Sequence, residues 1–149
     1  MPDLPPLRPS SWTFRKIGSL LARKSRFDLA ASCGDFHLEI VGESHYQNVL
    51  RQLLQRSLSS GRIAPLVVEC EPTNKFDANA VRITTTDGLT IGYLRREVAA
   101  EYCKVIAEIE AAGYRITCFG KLVGGDNERP SVGVWIDLIG ADDIRDLKP

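Results

Sequence analysis

Apolar and polar positions along the chain change period several times, and each change marks an element. Trp12, Phe14, Ile17, Leu20 and Leu21 form a helical apolar stripe, the spacing of one packed face. Residues 36–42 (FHLEIVG) alternate as a strand does. From about His45 to Ser60 the helical period returns. Val49, Leu50, Leu53, Leu54 and Leu58 share one face there, Gln47, Arg51, Gln55 and Arg56 the other, and Gly61 is placed as a C-cap.

A second strand is predicted over 65–71 (PLVVECE), ended by Pro72, which cannot donate to a sheet ladder. Residues 73–79 read as a loop. The β-branched run 80–86 and the return strand 89–94 form a hairpin around Asp87-Gly88. Residues 96–112 carry Val98, Tyr102, Val105, Ile106 and Ile109 at helical spacing, with Gly113 just past the end. Residues 114–123 and 131–139 are two further strands, joined by a polar connection over 124–130, and the last residues read as an acidic tail. Six short strands with two interspersed helices, and a third in the N-terminal extension, do not fit a doubly wound sheet. They predict a mostly β chain, a small six-stranded OB-like or SH3-like barrel. The expected organisation is an extension over 1–35, the β domain over 36–140 and the tail over 141–149.

At 149 residues the chain is long enough to bury a real core without staples. Its 19 basic residues cancel its 19 acidic ones, which excludes a polycationic coat but not a local basic patch. Such a patch exists: residues 1–27 hold Arg8, Arg15, Lys16, Arg23, Lys24 and Arg26 against Asp3 alone. The segment is either a helix docked through Trp12 and Phe14 or a basic arm adding phosphate affinity. No apolar run is long enough to span a membrane. The N-terminus lacks a secretory apolar core, and its prolines interrupt a transit-peptide helix, so a cytoplasmic location is expected.

Cys33, Cys70, Cys103 and Cys118 offer no close ligand pair of the kind a zinc knuckle needs, even with His37 and His45 counted. They read as reduced thiols, and no metal or other cofactor is expected. No Gly-x-Ser-x-Gly elbow or phosphate-binding Gly-x-x-x-x-Gly-Lys occurs, which points away from an enzyme. Glu69 and Glu71 alternate on one strand face and, with Asp77 and Lys75, leave a metal-dependent nuclease as a weaker alternative; solvated carboxylates explain them more simply.

The most informative text is Glu71-Pro72-Thr73-Asn74-Lys75-Phe76-Asp77-Ala78-Asn79-Ala80-Val81. Its Asx residues either hold turns or present a carboxylate and amides to a ligand. Arg95 and Arg96 open a helix, where amide N–H groups favour anions, or form a merely solvated first turn.

Three ordered motifs resemble the HIRAN family, a domain found alone in bacteria and at the front of Snf-type DNA-dependent ATPases. They are Val41-Gly42-Glu43-Ser44-His45-Tyr46, the Glu71–Val81 block, and Asp87-Gly88-Leu89-Thr90-Ile91-Gly92-Tyr93-Leu94-Arg95-Arg96-Glu97. The resemblance implies a six-stranded barrel related to the oligonucleotide-binding fold and a pocket for the 3′ end of single-stranded DNA. It puts Tyr46 and His45 at stacking positions and Asp77 where a free 3′-hydroxyl is read. Asn74 and Phe76 would shape the loop, with Tyr93 and Arg96 at phosphates and Arg95 beside them. His45 stands where a tyrosine is common and Ser44 where an arginine helps, and the helix over 46–61 replaces a much shorter connection and either caps or blocks the groove. The partners implied are DNA 3′ ends or other nucleic-acid ends, and DNA-processing proteins. The alternative is a protein-interaction module that keeps the fold without the end pocket.

Overall fold

A computed structural model describes residues 27–57 and 63–147. The stripe over 12–21, the basic residues up to Arg26, Leu58 and Gly61 lie outside the described residues. The strands are β1 (Phe27–Ala30), β2 (Leu38–Glu39), β3 (Ile63–Cys70), β4 (Val81–Thr85), β5 (Thr90–Tyr93), β6 (Tyr114–Gly124) and β7 (Val132–Ile136). The helices are α1 (Gln47–Ser57), α2 (Arg96–Ala111) and α3 (Ala141–Asp146), and a 3₁₀ turn over Glu43–Tyr46 leads into α1.

The sheet runs β2-β7-β6-β3-β4-β5 and curls into the small OB-like β fold expected. Neighbours along this path are antiparallel, as hairpins and short connections require. Val41, just past β2, pairs with Tyr93 at the end of β5 and so joins the two ends of the path. One layer of the core is the apolar face of α2, with Tyr102, Val105, Ile106 and Ile109 buried; the other is the inner face of the sheet, including Leu66, Val68, Ile83, Ile91 and Ile116. Each such fully buried Ile or Leu is worth about 1.5–3 kcal/mol, so this layer holds the sheet in its curl.

Several elements differ from the sequence reading. A seventh strand, β1, lies inside the expected extension and runs parallel to the first half of β6. It is an edge strand with only Leu29 half-buried, so it carries no alternation to read. What holds it is remote in sequence: its ladder to β6 and a two-pronged Arg115–Asp28 bond at 2.8 and 3.2 Å. The strand predicted over 36–42 narrows to β2, because its backbone changes partner. Ile40 N–H still bonds to Val134 O of β7, whereas Val41 has crossed to β5. The acidic tail includes α3, whose Ala141 and Ile144 are buried. The β4–β5 connection is a longer loop than a two-residue turn, with Gly88 at φ 93° and a register shift at Ile83/Thr84.

Gln47, read as a surface position, is a splice between α1 and the sheet. Its amide donates to Val132 O at 2.9 Å and accepts from Val132 N–H at 2.9 Å, as a neighbouring strand would. Asp137, 1% exposed, has a similar bracing position. Its two oxygens accept the N–H groups of Phe119 at 2.7 Å and Gly34 at 2.9 Å, so neither buried oxygen is left without a donor.

Candidate nucleic-acid interface

The loop after β3 is shaped by its own Asx side chains. Asn74 Oδ1 accepts the N–H groups of Phe76 (2.9 Å) and Asp77 (3.0 Å), and Asp77 Oδ1 accepts that of Asn79 (2.9 Å). These are Asx turns, so the turn-forming reading of the block is correct. Asp77 nevertheless keeps its second oxygen for other work: Oδ2 faces Arg96 Nε at 3.9 Å. Arg96 in turn donates to Phe76 O at 3.1 Å, which clips the start of α2 to the loop.

The Val41–Tyr93 junction carries the opposite wall. Gly42 adopts φ 80°, a left-handed conformation that costs glycine nothing, and turns the chain into the 3₁₀ segment bearing His45 and Tyr46. The two rings meet edge to face, 6.3 Å between centroids at 75°. Gly92 leaves room for the junction to close, since a Cβ there would come within 2.8 Å of Val41 O.

Between these walls lies an open cavity of about 390 Å³. It is lined by His45, Tyr46, Asn74, Phe76, Asp77, Tyr93 and Arg96, with Val41, Ala80 and Leu94 as its apolar floor. Seven of the eight residues singled out from the sequence therefore come together from three separate segments. Arg95 does not: it is the exposed N-cap residue of α2, with extended backbone, and is absent from the lining. No residue of α1 lines the cavity; of the described part of the helix predicted over 45–60, His45 and Tyr46 reach it, from the 3₁₀ turn before α1. Phe76 is 87% exposed, a ring offered at the rim with little protein against it.

Two lining residues, Asn74 and Tyr93, are held by Glu71, which the sequence offered as the first residue of the Asx block and as a carboxylate of the nuclease alternative. Glu71 Oε1 accepts from Asn74 Nδ2 at 2.7 Å and from the Tyr93 hydroxyl at 3.1 Å, and Oε2 lies 3.3 Å from Arg82 Nη1. Arg82 also binds Glu69 Oε1 at 3.0 Å. Glu69 and Glu71 thus turn to one arginine rather than toward Asp77, and no group of three metal-ligating side chains occurs among the described residues. The Asn74 contact had a trace in the sequence, its three-residue separation from Glu71 across a proline turn. The Tyr93 and Arg82 contacts had none. Burial, then hydrogen bonding with Tyr46 and Glu71, pushes the Tyr93 phenol well above its ordinary range, so at neutral pH it is a donor.

A curled β fold with an open cavity of ring edges, one carboxylate and one arginine defines a small binding module. The sequence family says which: the HIRAN domain family model matches residues 33–136, and the chain belongs to that family. HIRAN domains are DNA-binding modules, which supports nucleic-acid binding here. Among solved structures, the chain is similar to a Lactobacillus plantarum protein at 20% identity and TM-score 0.44, covering 66% of this chain and 85% of that one. It is also similar to the HIRAN domain of human HLTF at 14% identity and TM-score 0.30, covering 56% and 64%. No curated protein matches the sequence. No described helix is long and apolar enough to cross a membrane.

Proposed function

We propose that the cavity receives the 3′-hydroxyl end of single-stranded DNA and that the chain is a non-catalytic end-recognition module. The observation that carries this reading is the meeting of Tyr46, Phe76, Asp77 and Arg96 around one open cavity. Rings stack on bases of any sequence for about 1–3 kcal/mol each, which suits a reader of ends. Asp77 Oδ2 accepts a hydrogen bond from the terminal hydroxyl, and the same charge repels a terminal phosphate. Arg96, 74% exposed beside it, takes the nearest backbone phosphate and offsets the carboxylate. The activity fits a DNA repair or processing factor of the cytoplasm.

Fluorescence anisotropy with short oligonucleotides ending in 3′-hydroxyl or 3′-phosphate tests the reading. Preference for the hydroxyl, lost in Asp77→Ala because 3′-hydroxyl binding falls while 3′-phosphate binding does not, supports it. Equal affinity for both ends, or none for either at low salt, overturns it and favours a protein partner.

A further inference from the structure

Cys70, at the end of β3, and Cys103, on α2, place their sulfurs 3.6 Å apart. The Cys70 thiol also donates to Cys103 O at 3.3 Å. Both residues are half-buried, whereas Cys118 is buried and Cys33 lies exposed far away on the chain. The sulfurs are in van der Waals contact. A disulfide spans roughly 2.05 Å, so closure asks for an approach of about 1.5 Å, within reach of modest side-chain rotation.

We propose that Cys70 and Cys103 form a redox-sensitive dithiol that closes to an intrachain disulfide when a low-molecular-weight disulfide is present. The exchange has two steps. The Cys103 thiolate attacks one sulfur of the small disulfide, forming a mixed disulfide on Cys103 and releasing one small thiolate. Cys70 then loses its proton and attacks Cys103 Sγ, expelling the second small thiolate. Two protein thiols are oxidised, one small disulfide is reduced to two thiols, and the two cysteine protons end on those thiols.

The order of attack follows from the surroundings. Burial and the Glu110 carboxylate hold the Cys70 thiol well above its usual range, making it a poor first nucleophile. Once Cys103 carries the mixed disulfide, Cys70 attacks from contact distance, where a small thiolate fraction suffices. The closed bond ties the strand that leads into Glu71 to the helix that begins at Arg96, two residues that each hydrogen-bond to the loop.

The test uses the full chain carrying Cys33→Ser, incubated with oxidised glutathione and quenched with an alkylating agent. A species that lacks two of the alkyl groups carried by the reduced, alkylated protein, reversed by dithiothreitol, with the Cys70 and Cys103 peptides linked under non-reducing digestion, is the expected result. Cys103→Ser abolishes the link and leaves Cys70 alkylatable; if that variant does not fold, Cys70→Ala, leaving Cys103 without a partner, serves in its place. Recovery of Cys70 and Cys103 as alkylated thiols after oxidation, or glutathione adducts that never resolve to a link, overturns the proposal. None of these readouts depends on DNA binding.

Discussion

Val41 and Tyr93 exchange two backbone hydrogen bonds, 2.8 and 2.9 Å long, and this one pair joins both ends of the sheet path. It also sets one wall of the cavity, because Tyr93 and the 3₁₀ turn after Gly42 follow from it. Fold closure and site construction are therefore the same event.

Gly92→Ala tests that coupling. The added Cβ would lie 2.7 Å from Ile40 Cδ1 and 2.8 Å from the Val41 carbonyl, and the backbone oxygen cannot swing away. Urea denaturation should show a loss of about 1–3 kcal/mol. Oligonucleotide affinity, measured well below the unfolding midpoint, should fall as well.

Asn74 is the hinge pin of the loop, with its oxygen on two N–H groups and its amide on Glu71. Asn74→Ala is expected to lose about 1–3 kcal/mol of stability in denaturant titrations and weaken end binding. Asn74→Asp keeps the acceptor but sets a second carboxylate against Glu71. It should not restore the wild-type values, whereas a purely turn-forming position would accept it.

The two adjacent arginines should separate in salt titrations. Arg96 lines the cavity and Arg95 does not. With single-stranded DNA, Arg96→Ala should reduce the slope of log affinity against log salt by about 0.7, the equivalent of one phosphate. Arg95→Ala should leave most of that slope intact. Equal effects would place the strand over the helix face instead of in the cavity.

Alkaline stability should report the buried phenols. Burial first, with the nearby Glu101 and Asp143 carboxylates, pushes Tyr102 up to about 12, and its hydroxyl donates to Ile139 O at 2.8 Å. Tyr93 shifts in the same direction. Unfolding releases these protons at lower pH than the native state does. The stability they contribute is whole below about pH 10 and declines as pH rises past it. Urea midpoints between pH 8 and 11.5 should fall in wild type, and Tyr102→Phe and Tyr93→Phe should each flatten the decline.

Local period was enough to show β3, the β4–β5 hairpin, α2 and the Asx loop, because their pattern and their turn residues are neighbours in the chain. Three motifs of glycine, Asx and aromatic residues were enough to nominate the residues that border the cavity. The strand β1 left no such trace. Its whole ladder is to β6, far along the chain, and a strand with only Leu29 half-buried shows no alternation.

Side-chain addresses behaved the same way. Gln47 looked solvated by its helical position, yet its amide completes the edge of β7. Residue type does not separate Arg95 from Arg96, although the family motif favoured Arg96; the extended backbone of Arg95 and the helical turn that follows bring Arg96 to the loop. Hydrophobic pattern and turn chemistry act over a few residues, so the chain states them directly. Which carboxylate meets which hydroxyl depends on where the curled sheet brings β3, β4 and β5 together, and that geometry exists only once the core has closed.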